Sequence, residues 1–257
     1  MSEPRAPVRR FRRGAAILPS LFTTGNLFAG FWAMIHSVHG QYSRATWLIF
    51  AAVGMDMLDG RIARLTGTTS EFGGELDSLA DVISFGVAPA LLVYSWGLSA
   101  VPRAGWLAAF LFVMCGALRL ARFNVQRHSV DSRYFVGLPI PAAALQLAAL
   151  VHFWPEPLGQ KAEAMMAMAL VIVLAFLMVS TFRYPSLKGV DLRARRSYTT
   201  ILMIAVGITV VVLFREYAGL VIATLYSLSA PTTYVVGLIL RRRTGPPQAP
   251  VAAGEAH

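Results

Sequence analysis

The stretch DMLDGRIARLTGTTSEFGGELDSLAD, residues 56 to 81, gathers six of the chain's thirteen acidic residues inside an otherwise apolar sequence. Asp56 and Asp59 are three apart and Asp77 and Asp81 four apart, so each pair falls on one helix face. Brought side by side, four carboxylates repel one another unless protons or cations lie between them, and divalent cations that prefer hard oxygen ligands suit them best. The pattern predicts a binuclear Mg²⁺ or Mn²⁺ site. Gly60 directly after Asp59, and Gly73 and Gly74 ahead of Asp77, let a bulky group approach the backbone. Ala63 keeps the same face open, and Arg64 offers a fork of donors for a phosphate. Two cations roughly 3.5–4 Å apart clamp a phosphoryl centre and stabilise both its entering and its leaving oxygen. One aspartate alone would read as a helix cap or a solvated charge; two in-phase pairs with Gly and Arg between them do not. Glu75 lies off the face of Asp77, and it and Glu71 read as solvated charges.

The elements that carry these residues are predicted to be membrane helices. The chain has 257 residues, 56% of them hydrophobic and only 14% charged, far more apolar than a soluble domain. Each span needs about 20 apolar residues, and apolar runs near 17–39, 45–58, 77–96, 104–123, 138–154, 162–182, 198–214 and 217–240 predict eight. The Asp pairs then end the second span and begin the third, joined by a Gly-rich polar link over residues 60–76. With eight spans both termini share one side. That side holds residues 5–13, 61–64, 119–133, 183–196 and 241–243, which carry 19 of the 23 basic residues, so it is read as cytoplasmic. This placement accounts for the net charge of +10 without nucleic acid, for which no soluble basic domain exists. The expected organisation is a basic segment 1–14, a membrane domain 15–243 and a disordered tail 244–257. The basic start followed by ILPSLFTTGNLFAGFWAMI reads as a signal anchor retained as the first helix. Cys115, the single cysteine, reads as a buried structural thiol.

Together Asp56, Asp59, Gly60, Ala63, Arg64, Gly73, Asp77 and Asp81 complete the pattern DxxDGxxAR, eight residues, GxxxDxxxD. It resembles the signature of the CDP-alcohol phosphatidyltransferases. The resemblance implies a helical membrane enzyme, commonly a homodimer, that moves a phosphatidyl group from a CDP-linked lipid to an alcohol and releases CMP. It implies that Asp56, Asp59, Asp77 and Asp81 bind two metal ions, that Asp81 is also the general base, and that Gly60, Ala63, Arg64 and Gly73 line the CDP pocket. Outside the pattern, LPSLFTTGNLFAGFWA (18–33), SFGVAPALL (84–92), ALRLARFNV (117–125) and FVGLPIPAAA (135–144) look like the serine-using branch of that family. That branch implies CDP-diacylglycerol and L-serine as substrates; the spans and the basic-residue placement predict a multi-pass inner or plasma membrane protein with the active site facing the cytoplasm. Ser20 departs from the Asn expected after Pro19 in many relatives.

A serine acceptor presents a carboxylate that calls for a cation. Arg119, Arg122 and Asn124 end the fourth predicted span near the level of the aspartates, and Arg122 is the first choice for the serine carboxylate or a lipid phosphate. Arg183, at the end of the sixth span, is a weaker candidate. Two alternatives stay open: another acceptor such as glycerol 3-phosphate or inositol phosphate, and, in a different class, a divalent-cation transporter, for which intramembrane carboxylates are also expected. Asn26, polar within the first span, either lines the site or bonds a neighbouring helix. His36 and His39 read as interfacial, and Trp47, Trp96, Trp106 and Trp154 as an aromatic belt.

Overall fold

A computed structural model describes residues 9–67, 71–126, 134–185 and 215–244. The predicted 198–214 span and the 244–257 tail, Thr244 apart, lie outside them, as do the side chains of Ala63, Arg64 and Arg183. The described chain is helical: α1 (Arg9–Val38), α2 (Tyr42–Thr66), α3 (Glu71–Asp81), a π-helical turn (Val82–Val87), α4 (Ala88–Trp96), a 3-10 turn (Leu98–Ala100), α5 (Pro102–Gln126), α6 (Ile140–Phe153), α7 (Lys161–Val179) and α8 (Arg215–Thr244). One departure from an all-α fold is a two-stranded antiparallel ribbon, β1 (Tyr134–Val136) with β2 (Arg183–Pro185). A second concerns the 60–76 link. α2 continues to Thr66 and α3 starts at Glu71, so helix extends through most of the segment read as connection. The glycines there misled the reading, because a glycine costs a helix only about 1 kcal/mol relative to alanine and packing or a ligand repays that.

Among the described residues, three helical stretches are long and apolar enough to cross a bilayer: Glu71–Trp96, α5 and α7. α6 is apolar and shorter. α5 shows why this is a membrane design. Ala108, Phe112, Cys115 and Gly116 are buried, while Leu107, Phe110, Met114 and Leu118 form a stripe on the exposed side. A soluble helix would turn charge outward there.

α1 pairs along its length with α2 and crosses the π-helical turn, while α5 packs on α7 and α6 on α8. The crossing needs a glycine, because a Cβ at Gly30 would overlap the Cα and side chain of Ser84. Two prolines shape the frame. Pro89 has no N–H for the carbonyl four residues back, and just upstream the helix widens so that the Ala88 N–H reaches the Ile83 carbonyl. Pro231 likewise cannot donate to the Ser227 carbonyl; the hydroxyl of fully buried Tyr184 on β2 does so instead, at 3.0 Å. The ribbon thereby holds α8 against the bundle.

Candidate active site

The chemistry-bearing residues sit on α1, α2, α3 and α5, where these helices converge. Asp56 and Asp59 share one face of α2, and Asp77 and Asp81 one face of α3. Asp56, Asp59 and Asp77 each bring a carboxylate oxygen within 4.8 Å of the others. At about 4 Å and an effective dielectric of about 20, two unit charges repel by roughly 4 kcal/mol, so three carboxylates at this spacing demand cations or protons. All the donors are hard oxygens, the ligand type that Mg²⁺ and Mn²⁺ take, and the set fits such an ion.

Asp81, one turn along α3 from Asp77, is nine-tenths buried and interacts electrostatically with all three other aspartates and with Arg119. Its Oδ1 has no hydrogen-bond partner among the described residues. Thr23 on α1 donates from Oγ1 to Asp59 Oδ2 at 3.1 Å, which fixes that carboxylate. Sequence reasoning passed over Thr23; its signal was a hydroxyl three residues before Asn26 in an apolar run.

The glycine of the pattern on α2 is informative. A Cβ at Gly60 would meet nothing within 4 Å, so no helix packing requires a glycine there. An unpacked mid-helix glycine costs about 1 kcal/mol, and the space beside it is free for a ligand. Gly73 lies in the first turn of α3, and the backbone of Ala63 and Arg64 continues the last turns of α2.

The residues expected at the acceptor separate. Arg119 is buried, faces Asp81 and Tyr226 electrostatically, and sets its guanidinium 5.8 Å from the Phe123 ring centroid. Its Nε lacks a hydrogen-bond partner among the described residues. Arg122 instead donates to the Val179 carbonyl at the end of α7, at 3.3 Å. Asn124 donates to Ser78 Oγ at 2.9 Å, and Ser78 in turn to the Gly74 carbonyl at 3.0 Å. That chain ties α5 to α3 between Asp77 and Asp81. Arg183 stands on β2 by its backbone. Arg119 is thus the arginine that faces Asp81, while Arg122, its electrostatic neighbour, donates to the Val179 carbonyl.

The two histidines of α1 and the tryptophans fall away from this site. His36 bonds Trp32 and Gln41, and His39 the Ile35 carbonyl. Trp47, Trp106 and Trp154 are exposed, as a belt requires, but Trp96 is buried and donates to the carbonyls of Trp154 and Glu156. It is a structural tie and not a belt residue. Cys115 is a buried free thiol.

A family model described as CDP-alcohol phosphatidyltransferase matches residues 16–179. The chain is 43% identical over 180 residues to the CDP-diacylglycerol–serine O-phosphatidyltransferase of Helicobacter pylori, covering 68% of this chain and 74% of that protein. It is 35% identical over 171 residues to the protein of the same name from Bacillus subtilis, covering 66% and 91%. It is also 39% identical over 176 residues to the archaetidylserine synthase of Methanothermobacter thermautotrophicus, covering 67% and 71%.

Proposed function

This chain belongs to the CDP-alcohol phosphatidyltransferase family, and from that premise we propose that it transfers the phosphatidyl group of CDP-diacylglycerol to L-serine, giving phosphatidylserine and CMP. The observation that carries the reading is the meeting of Asp56, Asp59 and Asp77 within 4.8 Å, with Asp81 and buried Arg119 beside them. The names of the relatives support serine as acceptor.

Asp56, Asp59, Asp77 and Asp81 would hold two divalent cations, Mg²⁺ or Mn²⁺, whose contribution is to neutralise the diphosphate and the charge gathering on departing CMP. Gly60, Ala63, Arg64 and Gly73 border the space for the CDP moiety. Arg119 binds the serine carboxylate, Arg122 and Asn124 hold helix ends, and Arg183 is a further candidate for lipid phosphate. Asp81 takes the proton of the serine hydroxyl as that oxygen attacks the lipid-side phosphorus. The bond from this phosphorus to the bridging oxygen breaks, and the electron pair leaves with CMP. Eight spans with both termini cytoplasmic put the aspartates at the cytoplasmic leaflet, where soluble serine reaches a membrane-held lipid nucleotide; the membrane domain spans 15–243, and two copies assemble as a homodimer.

The test is CMP release by purified protein in detergent with CDP-diacylglycerol and Mn²⁺, with L-serine compared against glycerol 3-phosphate, inositol 1-phosphate and no acceptor. Serine-dependent release that chelation abolishes is expected. Release with a different alcohol would retain the aspartate chemistry and discard serine; absence of metal-dependent release with every acceptor would sink the whole reading.

A further inference from the structure

α8 lies beyond residues 16–179, the part of the chain that the family model matches, yet one of its side chains reaches the site. Tyr226 is partly buried near the middle of α8 and packs against the core. A tyrosine in a membrane helix ordinarily sits at an interface, where its hydroxyl meets water; buried away from one, that hydroxyl calls for a polar partner. The charged group beside it is Arg119: phenol and guanidinium interact electrostatically, and the same guanidinium faces Asp81.

The fold fixes Tyr226 from both sides along α8. Two residues before it, Gln146 on α6 donates from Nε2 to Thr224 Oγ1 at 3.0 Å. One residue after it, the Ser227 carbonyl accepts from the Tyr184 hydroxyl, and the Tyr184 ring lies 5.7 Å, centroid to centroid, from that of Tyr226. Tyr184 is itself fully buried and paired with Phe135 across the ribbon. These ties set the rotation of α8 and hold the Tyr226 ring, and all of them would persist with phenylalanine at 226. Packing therefore accounts for the ring and leaves the hydroxyl to be explained. A guanidinium presents five N–H donors and a carboxylate about four acceptor positions, so a carboxylate gripped by the Arg119 fork keeps room for one more donor. A phenol supplies that donor without adding charge to a site that already sets Arg119 against Asp81.

We propose that Tyr226 is a specificity-determining residue for the acceptor, its hydroxyl donating to the carboxylate of the incoming amino-acid alcohol beside Arg119. The proposal rests on the reading of Arg119 as the cation for the serine carboxylate. α8 is thus the wall of the site that selects an alcohol bearing a carboxylate.

The experiment is CMP release by the purified full-length protein in detergent with Mn²⁺, varying L-serine and CDP-diacylglycerol in turn, alongside the thermal midpoint. Y226F deletes the hydroxyl and keeps the ring against Tyr184. It is expected to raise the serine KM roughly tenfold or more, the scale of a hydrogen bond to a charged group, with kcat, the KM for CDP-diacylglycerol and the midpoint as in the native protein. Inhibition by 3-hydroxypropionate, which keeps the hydroxyl and carboxylate of serine and lacks its amine, is expected to weaken by the same factor. A native serine KM in Y226F would overturn the proposal and leave the serine reading intact, and so would a rise in both KM values together with a lowered midpoint, which is the mark of a structural tie. A raised serine KM with 3-hydroxypropionate unaffected, or no inhibition by it in the native protein, would overturn the carboxylate contact. A native protein with no serine-dependent release would remove the reading itself. Should Y226F not fold, Y226L, which also lacks the donor, decides by the same readings.

Discussion

The two ends of the Glu71–Trp96 rod are built on opposite rules. At the Trp96 end the polar groups are tied to one another: the indole N–H donates to two carbonyls, Tyr42 donates to the Ser95 carbonyl at 2.8 Å, the Leu158 N–H reaches the Trp96 carbonyl at 3.0 Å, and Gln160 with Glu163 closes a capping box at the start of α7. At the Asp81 end, Asp81 Oδ1, Arg119 Nε and both polar atoms of Asn26 are buried with no partner among the described residues. Unpaired buried polar atoms are expensive, and a fold that satisfies one end so fully does not neglect the other by accident. One end holds the helices; the other leaves buried bonding capacity unused, as the proposed substrate and ion site requires.

Substitutions at the two ends should therefore move different observables. The largest effect is expected of Asp81→Asn, which removes the proposed base: CMP release should fall on the order of a hundredfold to ten-thousandfold, with CDP-diacylglycerol binding still measurable and thermal stability unchanged or raised. Full turnover in that variant would take Asp81 out of the mechanism. Next comes Arg119→Lys. A lysine keeps the charge but loses the planar fork that grips a carboxylate, and a hydrogen bond to a charged group contributes about 1.5–3 kcal/mol. The serine KM should rise roughly 10- to 100-fold while the KM for CDP-diacylglycerol stays put; a rise in both would move Arg119 from acceptor to lipid.

How much of this was legible before the fold was known follows from which forces leave a trace in sequence. Helix spacing puts each aspartate pair on one helix, as α2 and α3 do, since a periodicity of 3.6 acts within one element. The boundaries of α2 and α3 were hidden because Gly60, Gly73 and Gly74 look like loop residues whether they serve a turn or an opening for a ligand. Spacing gives no physical ground for the preference of Arg122 over Arg119, as three residues of separation puts both on one broad face, and only the packing of α7 against α5 sets Arg122 on the Val179 carbonyl. Trp96 was misjudged because a tryptophan at a helix end looks the same in sequence whether it meets lipid or two carbonyls across a helix gap.

Trp96→Phe tests the satisfied end. It removes the indole donor and leaves the Trp154 and Glu156 carbonyls to find other partners, so stability should drop by about 1–3 kcal/mol, read as a lower thermal midpoint. Turnover per folded molecule should not change. A fall in turnover with an unchanged midpoint would dissolve the contrast between the ends.

The smallest effect falls to Thr23→Val, and it sharpens the contrast most because it acts within the functional end without touching substrate. Valine preserves the shape and β-branching of threonine and deletes the one hydroxyl that donates to Asp59 Oδ2. Interhelical hydrogen bonds in membrane proteins contribute only about 0.6 kcal/mol to stability on average, so the midpoint should scarcely move. If that bond instead serves to aim a cation-binding carboxylate, its loss registers in metal dependence: the Mn²⁺ concentration for half-maximal activity should rise about tenfold, within the range seen when a supporting hydrogen bond to a ligand is removed, and saturating Mn²⁺ should restore most of the rate. A lowered midpoint with native metal dependence would make Thr23 a structural tie like Trp96, and the boundary between the two ends would then run through Asp59.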